Sequence, residues 1–64
     1  MDEYNRFLYN DQGKQIVEMH ERSGMTVTEY AEHLSVDAGK LRKWEGNMIR
    51  VSKRTWEKLF REPE

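Results

Sequence analysis

The chain has 64 residues, of which 36% are charged, a formal net charge of −1 and no cysteine. A chain of this length makes one domain that buries only about 60% of the surface its unfolded form exposes, which excludes a second domain and a large core. Absence of cysteine excludes a disulfide framework and thiolate metal sites, and the two isolated histidines, His20 and His33, offer no ligand cluster, so no metal or cofactor is expected.

Residues 1 to 11 are aromatic and polar, with Tyr4, Phe7, Leu8 and Tyr9 followed by Asn10 and Asp11. They read as an N-terminal arm, a strand or a short helical turn, and their aromatics as packing on the domain or forming a dimer contact. From Gln12 to Arg22 the apolar residues Ile16, Val17 and Met19 come close to helical spacing, and Ser23-Gly24 supplies a stop. Next, Thr26-Val27-Thr28-Glu29 matches the S/T-x-x-E capping box, in which each end side chain satisfies the other's backbone N–H, with Met25 and Tyr30 as its hydrophobic staple. The helix it starts is expected over Val27 to Leu34, with Tyr30, Ala31 and Leu34 on one apolar face.

Ser35-Val36 makes a tight connection, and Asp37 is a good N-cap for a helix carrying Ala38 to Glu45. Only Leu41 and Trp44 are strongly apolar there, so that helix is expected to lie on the domain by one edge and to show Lys40, Arg42 and Lys43 to solvent. Gly46-Asn47 ends it through a left-handed residue. Ser52 caps a last helix with Trp56, Leu59 and Phe60 at i, i+3 and i+4, closed by Pro63. Ala31, Leu34, Leu41, Trp44, Trp56 and Leu59 are the expected core.

The net charge hides a division. Residues 1 to 39 hold three Lys or Arg against eight Asp or Glu, net −5, whereas residues 40 to 64 hold eight against four, net +4. A nucleic-acid binder needs a local basic face, not a basic total.

Two short helices joined by a brief turn, the second one basic, describe a helix-turn-helix. Residues 25 to 47 resemble the Cro/phage-repressor (XRE-like) family through Thr26, Glu29, Tyr30-Ala31, Leu34, Val36, Leu41 and Trp44-Glu45, and the likeness extends through Ser52, Thr55, Trp56, Lys58 and Leu59. The resemblance implies an all-α, lambda-repressor-like fold of four helices, with the domain at 12–62 behind an arm at 1–11 and the motif at about 26–47. Two positions depart from the pattern. Ser35 stands where the turn normally has glycine, at a cost of roughly 1 kcal/mol if left-handed, so a slightly different turn is expected. Val27 replaces a glutamine that often braces a phosphate and a recognition-helix side chain.

In such domains the second helix enters the major groove with its N-terminal residues near base edges. That aims Ala38, Gly39, Lys40 and Lys43 at bases, and Thr26, Arg42, Arg50, Lys53 and Arg54 at phosphates. Lys58 and Arg61 read as a solvated face. Glu45 reads as an ion-pair partner of a nearby arginine, a cap or a solvated carboxylate, and the histidines as surface or edge residues.

The implied partner is double-stranded DNA, bound as a homodimer on a two-fold operator, and the implied role is transcriptional repression of the phage or mobile-element kind. Ile16 to Trp44 also resembles the three-helix DNA-binding part of insertion-sequence transposases, and Leu41-Arg42-Lys43-Trp44-Glu45 resembles MerR-type regulators. A second class of reading is a protein-interaction module, an antitoxin or adaptor, that docks its partner through the acidic N-terminal half. No nucleophile–base pair, phosphate-binding glycine loop or metal spacing points to an enzyme. No basic-then-apolar leader and no apolar run near ~20 residues is present, so a cytoplasmic protein without membrane contact is expected.

Overall fold

Every helix begins on a short polar side chain. In the computed structural model, which describes residues 2–61, Asp2 accepts a hydrogen bond from the Asn5 N–H (2.8 Å) and starts α1 (Glu3–Tyr9). Asp11 accepts from Lys14 N–H (3.1 Å) and starts α2 (Gln12–Ser23), which ends at the left-handed Gly24. Thr26 and Glu29 form the expected reciprocal capping box at the head of α3 (Val27–Leu34). Asp37 accepts from both Gly39 and Lys40 at the head of α4 (Ala38–Glu45). Ser52 accepts from Thr55 and starts α5 (Lys53–Thr55), which runs on as a π-helical stretch (Trp56–Phe60) closed by a bond from Arg61 N–H to the Trp56 carbonyl (2.8 Å). Such caps contribute about 1 kcal/mol each, a large share of the stability of so small a domain. These five helical segments, with no strand among the described residues, make a small all-helical domain. The expected stop at Pro63 and the domain limit at 62 lie outside the described residues.

Of the alternatives open for residues 1 to 11, Glu3–Tyr9 form a helix that lies on the core. Phe7 is buried, with its ring 6.1 Å from Trp56 and 6.3 Å from Phe60. Tyr4 stands 5.7 Å from Trp56 and donates its hydroxyl to the Val51 carbonyl at 2.6 Å. Tyr9 points away and is 80% exposed. The rest of the core comprises Ile16, Tyr30, Ala31, Leu34, Leu41, Trp44, Val51, Trp56 and Phe60, with Leu59 only half-buried against it. Trp44 meets Phe60 edge-on at 5.6 Å, an arrangement favoured by the ring quadrupoles.

Polar contacts at the head of α2 join it to the segment after α4. The buried Gln12 amide donates to the Ile49 carbonyl (2.8 Å) and, more weakly, to that of Trp44 (3.4 Å), while its oxygen accepts from Val51 N–H (3.0 Å). Beside it, Gly13 donates its N–H to the Asn47 side chain (3.0 Å), and Asn47 donates to Asp11 (2.7 Å). Gly13 lies so close to the end of α4 that a Cβ would stand 2.3 Å from the Glu45 carbonyl oxygen.

The Gly13→Ala variant must therefore push α2 and α4 apart. Overpacking of this kind costs about 1–3 kcal/mol, to be seen as a lowered urea midpoint and a thermal midpoint down by roughly 4–8 °C per kcal/mol. An unchanged midpoint would mean the two helices do not approach this closely.

Candidate nucleic-acid interface

α4 touches the core along one edge. Leu41 and Trp44 are buried, and the α-helical repeat of 3.6 residues puts Gly39 and Lys43 together on the opposite face, with Lys40 and Arg42 to either side. All four are exposed, and Ala38 is half-buried at the helix start. Lys40 leans back, its ammonium 5.3 Å from the centroid of Trp44, a cation–π contact that directs it along the helix flank. Gly39 has a local use, because a Cβ there would stand 2.8 Å from the Asp37 carboxylate oxygen that caps the same helix.

The turn before α4 is set by Ser35, left-handed at φ 60° and ψ 41°. The expectation of a different turn at this non-glycine position is corrected, since serine adopts the left-handed conformation itself. Val36 N–H reaches back to the Ala31 carbonyl (2.9 Å) and Ser35 N–H to that of Glu32 (3.0 Å), so the freed carbonyls of α3 are paired.

Arg42, Arg50, Lys53 and Arg54 are all exposed. Two ion pairs occur among the described residues, His20–Glu45 and Arg61–Glu3, so none of the cations expected at bases or phosphates has a carboxylate partner there. Lys40, Arg54 and Lys58 line one depression of about 450 Å³ between the turn after α3 and α5, together with His33, Ser35 and Thr55 and without any carboxylate. Lys58 thus belongs with the basic face, while Arg61 bonds Glu3 at 3.3 Å and lies over the Trp56 ring. A second depression, about 490 Å³ beside α2, is lined by Asp11, Glu18, Glu21 and Glu45 with Lys14. The division of charge along the sequence becomes a division across α4.

Thr26 differs from the other expected phosphate contacts. Its N–H donates to the Glu29 carboxylate (2.8 Å) and its hydroxyl oxygen accepts from Glu29 N–H (3.2 Å), so both of its polar groups are already engaged with Glu29. Hydrogen bonds from the Thr26 backbone and hydroxyl hold Glu29 below the ordinary carboxylate range, so it stays charged. A phosphate at the start of α3 would face that charge.

Glu45 has a partner that the sequence reading missed. It faces His20, not an arginine, with His20 Nδ1 3.0 Å from Glu45 Oε2. His20 Nε2 lies 3.0 Å from the Met25 carbonyl, and its ring stacks on Tyr30 at 5.0 Å and 4°. His20 sits at the edge of the core, its side chain 18% exposed, and ties α2 to the head of α3 and the end of α4. A signal was present: Gln12, Ile16 and His20 recur every four residues, so two polar side chains bracket the most buried position of α2.

The Glu45 hydrogen bond is the main cause raising His20 above the ordinary imidazole pKa. A histidine raised on folding stabilises fully below its unfolded pKa, about 6.5, and loses that contribution as pH climbs through the higher folded value. The midpoint of thermal unfolding should therefore fall between about pH 6 and pH 8.5 in the wild type, and fall less in His20→Ala, as followed by circular dichroism. Equal slopes would remove His20 from the pH response.

Among the described residues no three His, Cys, Asp or Glu side chains gather as a metal site, and no helix is long and apolar enough to cross a membrane. No family model, curated protein or solved structure matches this chain.

Proposed function

We propose that the chain is a helix-turn-helix DNA-binding domain of the Cro/phage-repressor type, with α3 and α4 as the motif and α4 as the helix that enters the major groove. The observation that carries this reading is α4 itself, a capped helix anchored by only two large apolar side chains, which carries three unpaired cations on its exposed surface. The helix dipole favours Arg42 and Lys43 in the last turn and the Trp44 ring holds Lys40, but no carboxylate among the described residues neutralises any of the three. A polyanion gives them a partner.

In this reading Lys43, on the outermost face, reads a base edge by donating to guanine O6 or N7, with Gly39 allowing close approach and Ala38 meeting a thymine methyl. Lys40 reads from the flank, where the Trp44 ring steadies it. Arg42, Arg50, Lys53, Arg54 and Lys58 hold phosphates and supply affinity independent of sequence. The acidic side of α2 then faces away from the duplex. Two copies on a two-fold operator place their recognition helices about 34 Å apart. Occupying such a site and excluding polymerase is the simplest way for a domain of this size to repress, an analogy drawn from the family resemblance.

Titration of a labelled mixed-sequence duplex at stepped salt tests the reading. Neutralising ~4–6 phosphates per subunit gives a log–log slope near −0.9 per contact. Lys43→Ala on a selected operator should lose about 1–3 kcal/mol of affinity, whereas Glu18→Ala should leave it unchanged. No binding at low salt, with α4 amides unmoved in the NMR spectrum, would end the DNA reading and send the search to a protein partner of the acidic side.

A further inference from the structure

His20 sits at the one place where three helices of the candidate interface meet through a titratable side chain. Its two ring nitrogens face two acceptors, the Met25 carbonyl on Nε2 and the Glu45 carboxylate on Nδ1, each at 3.0 Å. Neither acceptor can donate while Glu45 is ionised. A neutral imidazole has one N–H and can serve only one of them, turning a lone pair toward the other. Only imidazolium completes both bonds.

The other charged or titratable groups around the ring do not supply the missing donor. From α3, Tyr30 offers its face at 5.0 Å, and its phenol is held neutral by burial. His33 stacks on Tyr30 at 6.3 Å, one ring removed from His20. Arg22, on α2 itself, acts on Tyr30. From α4 the charged group is Glu45, at the helix's last residue, where a carboxylate without a cation opposes the helix dipole.

We propose that His20 is a positioning residue for the recognition helix: when protonated it fixes the end of α4 to α2 and to the head of α3, and when neutral it can hold only one of Glu45 and the Met25 carbonyl, so that acidification tightens DNA binding. This rests on the DNA-binding reading above and adds proton control to it. Loss of the proton leaves one ring N–H for two acceptors and turns a lone pair toward the other, so one of the two bonds is given up. α4 then keeps its Leu41 and Trp44 anchors, but its end is no longer tied to both α2 and the head of α3.

The Glu45→Gln variant isolates the effect, because a glutamine amide can donate to neutral Nδ1 and keep the tie without a proton on His20. Duplex affinity would be measured from pH 6 to pH 8 by fluorescence anisotropy at fixed salt, in the wild type, Glu45→Gln and His33→Gln, with circular dichroism confirming folding at each pH. In parallel, NMR without DNA would follow the His20 ring and the amides of residues 43–47 over the same range. The expected result is wild-type affinity about fivefold higher at pH 6 than at pH 8, the low end of coupling between linked sites. His33→Gln should keep that slope and Glu45→Gln should flatten it, with the 43–47 amides following the His20 ring in the wild type alone. Equal slopes in wild type and Glu45→Gln, or amides that ignore the ring titration, would overturn the proposal. If no variant binds DNA at any pH, the DNA-binding reading fails, and the amides still decide whether His20 positions α4.

Discussion

The segment from Gly46 to Ser52 has no regular structure: its first three N–H groups turn back to carbonyls of α4, and beyond them the Gln12 side chain serves the Ile49 carbonyl and the Val51 N–H. Val51 N–H can meet only the amide oxygen, and the Ile49 and Trp44 carbonyls only the amide nitrogen, so these three partners fix the orientation of the group. A buried backbone group left unpaired costs about 1–3 kcal/mol, which makes this one side chain the support for the passage from α4 to α5. Val51, fully buried, and the Tyr4 bond to its carbonyl depend on that passage. So does the seat of Trp56 and Phe60, which α5 brings against Phe7 and Trp44. Gly13 completes the junction by letting α2 reach the carbonyl that ends α4.

Seen from this junction, α4 divides the surface by charge. On one flank are Lys40, Arg54 and Lys58 around a depression without carboxylates, and on the other Asp11, Glu18, Glu21 and Glu45. The separation weakens mutual neutralisation within the molecule and leaves an excess of one sign, and so a net field, on each side, with Lys14 the cation among the acidic residues. Fields of that kind persist over about 8–10 Å in ordinary salt and orient an approaching polyanion before contact. A total charge near zero is therefore compatible with a strongly basic face, because what matters to a ligand is the arrangement and not the sum.

Local chemistry was readable in the sequence and long-range chemistry was not. Caps at Thr26, Asp37 and Ser52, the left-handed residue at Gly46-Asn47 and the buried pair Leu41 and Trp44 depend on residues within a turn or two of each other, and the structure has them in place. The roles of Gln12 and Gly13 depend on backbone more than 30 residues away, and that of His20 on a carboxylate 25 residues on. Nothing in their neighbours announces these contacts beyond the four-residue recurrence with Ile16. The π-helical turn at Trp56–Phe60 was equally hidden; in it Trp56 meets Phe7 of α1, and Phe60 meets Phe7 and Trp44. Of the candidate interface, the exposure of the α4 cations was legible, whereas the inward lean of Lys40 required the Trp44 ring to be in place.

Among the described residues three other than glycine adopt left-handed backbone, Asp11, Ser35 and Asn47, and they stand at the two ends of α4, Asp11 through its bond to Asn47. Ser35 sets the turn into the helix, Asn47 the exit from it, and Asp11 bonds Asn47 from the head of α2. Asp and Asn tolerate this conformation comparatively well, while serine carries a cost of about 1–2 kcal/mol. Strain of this sort persists where the surrounding contacts over-determine the chain path, and it gathers at sites whose geometry matters. Here it gathers around a helix with only two large buried apolar anchors, Leu41 and Trp44. Two buried side chains alone would let α4 roll about its axis, so its orientation must come from its ends: the Asp37 cap and Ser35 turn at one, and the Gly13, Asn47 and His20 contacts at the other. A helix held by its ends keeps its middle face free of packing duties, and that face is where Gly39 and Lys43 stand.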